Sequence, residues 1–136
     1  MKYYAVIDTN VLVSAMLKWD SVPGCVLEHT FVGDIIPLLN EQVLEEYIEV
    51  LSRPKFHFDK ERVNIIIDGL VRRGVFVDEE KIDEELPDPK DAVFYEIVME
   101  KRKHDEAYLV TGNMKHFPSA PFIVTPREML TILESE

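Results

Sequence analysis

Four short segments of this sequence carry side chains able to do chemistry together: Asp8-Thr9-Asn10, Glu45-Glu46, Asp88-Pro-Lys-Asp91 and Thr111-Gly-Asn113. All of them offer oxygen. Carboxylates, hydroxyls and amide carbonyls form a hard donor set, the kind that holds Mg²⁺ or Mn²⁺ together with retained waters. Such ions neutralise phosphoryl oxygens and acidify a bound water, so the implied chemistry is hydrolysis of a phosphate ester. Nothing in the sequence suits structural zinc. His29, His57, His104 and His116 show no ligand spacing and are expected at the surface or in packing. Cys25 is expected to be a small buried hydrophobe in a helix.

Each residue also has a plainer reading. Asp8 ends an apolar run and can be a simple helix N-cap. Asn10 and Ser14 lie one turn apart on the same helical side, where they can orient Asp8 or a phosphate, or merely edge a helix. Asp91 heads an i, i+3, i+7 line with Phe94 and Val98, so its carboxylate starts along an apolar face and needs a partner, unless it only complements the helix dipole. Glu45 and Glu46 flank the apolar stripe of their helix at nearly equal angles, and periodicity does not choose between them. Thr111 and Asn113 can bond a ligand, a water or a carboxylate, or form an ordinary turn in which Gly112 lets the backbone bend tightly.

The elements that must position these groups read as alternating strands and helices. Strands are expected at 3–7, 35–39, 75–77, 108–111 and 122–124. Helices fit 8–17, 23–31, 40–52 behind an Asn40 cap, and 59–73 behind Asp59 and before Gly74. Asp88-Pro89 starts another helix, and Thr125-Pro-Arg-Glu128 reads as a capping box. Strands separated by helices imply a mostly parallel sheet covered on both faces. Residues 78–85 hold six acidic side chains in eight and are expected to be a solvated turn or short helix.

Composition bounds the partners. With 26 acidic and 15 basic residues the formal charge is −11, against the basic stripe of a general nucleic-acid clamp. Lys101-Arg-Lys103 sits at the far end of the helix that begins near Asp91 and fits that helix's carboxyl end better than a substrate. Lys115, Arg53 and Lys55 are better placed to meet a nucleic-acid backbone. At 46% hydrophobic and 30% charged residues, with no repeat, linker or low-complexity stretch, the chain is expected to form one domain over 1–136. Its single cysteine and the absence of a long apolar run suit the cytoplasm and exclude a membrane span.

In order and spacing, four motifs resemble the PIN-domain family, particularly its branch of toxin components from toxin-antitoxin systems. They are Val6-Ile-Asp-Thr-Asn-Val-Leu-Val-Ser14, Glu46-Tyr-Ile-Glu-Val-Leu-Ser-Arg-Pro-Lys-Phe56, Asp88-Pro-Lys-Asp91 and Leu109-Val-Thr-Gly-Asn-Met-Lys-His-Phe-Pro118. The resemblance implies a Rossmann-like three-layer α/β/α fold with a central, mostly parallel five-stranded sheet. It also implies a metal-dependent ribonuclease in which Asp8, Glu46 and Asp91 hold Mg²⁺ or Mn²⁺, which selects Glu46 over Glu45. Thr111 matches a hydroxyl position of the family, and Asn113 stands where many members carry a fourth aspartate. An amide there adds no charge and cannot act as a general base.

On this reading Asn10, Ser14, Thr111, Asn113 and Lys115 position water, metal or phosphate, and three bare carboxylates repel one another until an ion binds. An RNA substrate, an antitoxin protein and a homodimer are the partners the resemblance implies. The alternative is a PIN-like scaffold that binds RNA or a protein without cleavage, with Asn113 as its support. A receiver-type phosphoacceptor is disfavoured because no late strand ends in lysine.

Overall fold

The computed structural model describes residues 2–78 and 91–135. Branched and aromatic runs form β1 (Tyr3–Ile7), β2 (Ile35–Leu39), β3 (Val75–Phe76), β4 (Ala107–Val110) and β5 (Ile123–Val124). The helices are α1 (Thr9–Leu17), α2 (Val22–Val32), α3 (Glu41–Leu51), α4 (Lys60–Arg73), α5 (Ala92–Arg102) and α6 (Pro126–Glu134). Every strand expected from the sequence is present, with β4 shifted one residue earlier and β3 and β5 each one residue shorter.

All strand pairs are parallel, in the order β3-β2-β1-β4-β5. The fold is therefore a three-layer α/β arrangement, with α2, α4 and α6 packed together over one face and α5 laid across β1, β2 and β4 on the other. Burial on both faces explains the unbroken apolar strands: Ala5, Val6 and Ile7 of β1 and all of β4 are buried.

Chain order leaves β1 for β2 and β3 on one side, then returns to β4 and β5 on the other, so the sheet's switch point lies between β1 and β4. Open parallel sheets bind ligands in the crevice beyond the carboxyl ends at such a point. The register there is level: Ile7 pairs with Val110, so Asp8 and Thr111 emerge side by side.

Local signals behave as their chemistry requires. Asn40 accepts from Val43 N–H and Asp59 from Glu61 N–H, and the Thr125/Glu128 capping box closes at both ends. Gly74 follows α4 without a left-handed turn. Glycine is needed because a Cβ would stand 2.5 Å from Leu39 Cδ1 and 2.8 Å from the Leu70 carbonyl.

Several expectations need correction. Cys25 is exposed on α2 rather than buried, because that helix is apolar on more sides than it can cover. The apolar stripe of α3 is narrower than helix periodicity gives: Ile48, which periodicity includes, is 47% exposed, and Val43, Tyr47 and Leu51 make the buried face. Gly112 does not adopt a left-handed conformation, and a Cβ there would meet only Asn10 Oδ1 at 3.7 Å, so its bend does not demand glycine. The expected Asp88-Pro89 helix start and residues 79–85 lie outside the described residues; α5 is described from Ala92, with Asp91 at its N-cap position. Among the described residues no helix is long and apolar enough to cross a membrane.

Candidate metal-dependent active site

Asp8 follows β1 directly and occupies the N-cap position of α1, yet its side chain makes no cap hydrogen bond. It turns instead toward β4. The Thr111 hydroxyl donates to Asp8 Oδ2 at 2.7 Å and accepts from Asn113 N–H at 2.9 Å, so a fully buried hydroxyl has its one proton committed to the carboxylate. The nearby Thr9 N–H also favours the charged Asp8 carboxylate. The capping explanation of Asp8 therefore fails, and the level register of β1 and β4 is what joins Asp8 to Thr111 across 103 residues.

Glu46 arrives from α3. Of the two glutamates that helix geometry left tied, Glu45 is exposed and Glu46 is half-buried, accepting from the Thr9 hydroxyl at 3.0 Å. One residue on, the buried Tyr47 hydroxyl donates to the Ile7 carbonyl, and this bond ties α3 to the end of β1. Burial pushes the Tyr47 phenol far up, so it stays a neutral donor. Phe94 and Val98 of α5 are buried below Asp91 as the i, i+3, i+7 line requires. Asp91 Oδ2 stands 3.0 Å from His116 Nδ1.

These elements meet around one open cavity of about 330 Å³ lined by Asp8, Asn10, Ser14, Glu46, Asp91 and Asn113, with Thr9 and His116 beside them and Val13, Val50 and Phe56 as an apolar wall. Thr111 lies behind it, buried. Lys115 is not brought in. The 3-10 turn at Met114–His116 directs Lys115 to a neighbouring cavity of about 370 Å³, while His116 and Asn113 border both. His116, expected to be an uninvolved surface or packing residue, is thus a site residue that the sequence reading missed. Its partner is 25 positions away, and no local spacing could reveal it.

Four other basic groups are engaged elsewhere. Lys101 pairs with Asp105 and lies over the Tyr4 ring, Arg102 donates to the Ala107 carbonyl, and Lys103 pairs with Glu100. Arg53 is held by Glu49.

Electrostatics set the character of the cavity. Among the described residues that line it there are three carboxylates and neither lysine nor arginine. Burial raises the Asp8 carboxyl from the ordinary 3.8 to about 6; the Thr111 and Thr9 bonds oppose the rise, and the Asp91 and Glu46 charges add to it. Repulsion among bare carboxylates was the expected cause of such a shift. It contributes, but desolvation is the larger effect.

The chemistry of this donor set fits a hard divalent cation, since carboxylate oxygens from three elements face one polar opening. As placed, each carboxylate is turned onto its own donor, Asp8 onto Thr111, Glu46 onto Thr9 and Asp91 onto His116. Among the described residues no three acidic, histidine or cysteine side chains converge tightly enough to ligate one ion without moving. Small rotations about these hydrogen bonds are what a cation would require.

The family comparison agrees with this geometry. A family model described as PIN domain matches residues 4–115, the span from β1 to the turn after Asn113. The chain belongs to the PIN-domain family. Neither a curated protein nor a solved structure gives a significant match to it. PIN domains are generally nucleases, and residues 4–115 enclose every side chain of the cavity except His116, which follows immediately.

Proposed function

We propose that this PIN domain is a metal-dependent endoribonuclease that hydrolyses RNA phosphodiester bonds. The observation that carries the reading is the cavity at the switch point, which Asp8, Glu46 and Asp91 all line with no lysine or arginine among the described lining residues. Left bare, such a site costs the fold free energy through Asp8, and a structural role offers no return for it. Asp8, Glu46 and Asp91 would hold one or two Mg²⁺ or Mn²⁺ ions, which when bound supply charge neutralisation at the phosphate and an acidified water.

The chain's own residues do the rest. Thr111, Thr9 and His116 each hold one carboxylate beside the opening, from which it would turn to meet an ion. Asn10, Ser14 and Asn113 supply amide and hydroxyl groups for phosphoryl oxygens, and Val13, Val50 and Phe56 add apolar lining. On this reading hydrolysis proceeds by direct attack of water. With a chain charge of −11, attraction for RNA depends on the divalent ions, and binding without them is weak and sensitive to salt. The motif resemblance extends the reading to a toxin neutralised by a small antitoxin protein, acting as a homodimer in the cytoplasm.

The test is cleavage of single-stranded and structured RNA in Mn²⁺ and in EDTA by the wild type and Asp91→Asn. Mn²⁺-dependent cleavage lost in the variant supports the site. Equal cleavage by both proteins removes it. Mn²⁺ binding without cleavage by the wild type favours the scaffold that binds without cutting, for which Asn113 at the fourth acidic position is the motivating residue.

A further inference from the structure

Away from the carboxylates, α2 carries a second cluster of side chains, and its donors are of a different kind. Cys25, Glu28, His29 and Val32 fall at i, i+3, i+4 and i+7 along that helix, and with Asp34 they line a cavity of about 200 Å³. The cavity lies at the amino ends of the strands. Asp34 immediately precedes β2, and its carbonyl accepts from Tyr3 N–H at 2.9 Å at the start of β1. From Tyr3 to Asp8 the strand advances roughly 16 Å at about 3.3 Å per residue, so the two cavities sit at opposite edges of the sheet.

The end of α2 holds His29 in place. Gly33 closes the helix at φ 97°, where any side chain would be strained, and this turn folds Asp34 back over the last helical turn. Asp34 N–H then bonds the His29 carbonyl at 2.9 Å, and Asp34 Oδ2 stands 2.8 Å from His29 Nδ1. Cys25 is one turn earlier on the same face and exposed. A separation of four residues puts the two Cβ atoms about 5–6 Å apart, the spacing at which two side chains of one helix share a Zn²⁺ ion. Glu28 Oε1 accepts from Trp19 Nε1 at 2.8 Å, which keeps that carboxylate at the rim as a negative charge. A surface ion pair would explain the contact of Asp34 with His29 but not the thiol in the same cavity.

We propose that Cys25 and His29 form a clip for a borderline divalent cation of the Zn²⁺ class, with Asp34 as the positioning residue for the imidazole. Asp34 takes the Nδ1 proton in a hydrogen bond and leaves the Nε2 lone pair to the ion, the arrangement by which metal-binding histidines are usually oriented. Cys25 releases its thiol proton to solvent as the ion binds. Among the described residues no third acidic, histidine or cysteine side chain joins them closely enough to ligate the same ion, so water completes the coordination. Thiolate and imidazole favour Zn²⁺, whereas the oxygen donors at the carboxyl edge favour Mg²⁺ or Mn²⁺, and the two cavities sort cations by donor type.

The experiment titrates the reduced, metal-free full chain with Co²⁺, whose charge-transfer band with a thiolate reports on Cys25 alone because the chain has one cysteine. Wild type develops a saturable band, and Zn²⁺ abolishes it by displacing Co²⁺. Cys25→Ser shows no band. His29→Gln loses a ligand and Asp34→Asn loosens one, so both need more Co²⁺, the second by about 10- to 100-fold. Circular dichroism checks that the variants fold; none of the three residues belongs to the core. Asp91→Asn keeps the band and Cys25→Ser keeps Mn²⁺ binding, which separates this cavity from the carboxylate one. No band in the wild type, a midpoint unmoved by His29→Gln or by Asp34→Asn, or a band that forms only with two chains per ion overturns the clip.

Discussion

Replacing Asp8 with asparagine is expected to stabilise the metal-free protein at neutral pH. Asp8 is 5% exposed and titrates at about 6 instead of 3.8, first because burial disfavours its charge and secondarily because Asp91 and Glu46 repel it. Since the folded value lies above the unfolded one, folding favours the protonated form. The stability linked to this group is complete below about pH 4 and is lost as pH rises through about 6. At about 1.4 kcal/mol per pH unit the full effect is about 3 kcal/mol. Asparagine removes the charge and keeps a carbonyl for the Thr111 hydroxyl, but its amide NH₂ loses the favourable interaction of the carboxylate with the Thr9 N–H, at a cost of about 1 kcal/mol. The net expectation is a gain of about 2 kcal/mol at pH 8 that falls with pH and reverses near pH 4. Urea unfolding of both proteins in EDTA from pH 4 to 8 measures it. Equal or lower stability of Asp8→Asn at pH 8, or a difference that does not vary with pH, would refute the reasoning.

Three further perturbations probe the neighbours. Thr111→Val removes the donor to Asp8 and the acceptor of Asn113 N–H, so it should cost about 1–3 kcal/mol and steepen the loss of stability between pH 4 and 8, read by the same unfolding series. His116→Leu should weaken Mn²⁺ binding by about 10- to 100-fold by releasing Asp91, whereas His116→Asn, whose amide nitrogen falls near Nδ1, should recover most of it in calorimetric titration. Asn113→Asp adds a carboxylate to the cavity rim and should tighten Mn²⁺ binding while lowering metal-free stability at pH 8; unchanged affinity would place residue 113 outside the ion's reach.

Much of the fold is legible from local chemistry. Branched and aromatic runs mark the strands, and Asn40, Asp59 and Thr125 announce their helices because a cap is satisfied within three residues. What is not legible depends on contacts between elements. Helix periodicity measures angles about a helix's own axis, so it separates Glu49 from the apolar stripe but not Glu46 from Glu45; the Tyr47 bond to Ile7 fixes which of the two meets Asp8. Asp8 looked like a cap because its position is that of one, and only the register of β1 against β4 shows its carboxylate committed to Thr111. His116 and Lys115 are exchanged relative to the expectation by one short turn, which carries the histidine to Asp91 and the lysine past the cavity.

The central claim is that Asp8, Glu46 and Asp91 act as one cation site. Mn²⁺ titration of the wild type and of Asp8→Asn, Glu46→Gln and Asp91→Asn, followed by calorimetry at pH 7.5, tests it most directly. Saturable binding to the wild type that is weakened in each of the three variants is the expected result. Binding unchanged in any of them, or none to the wild type, would contradict it.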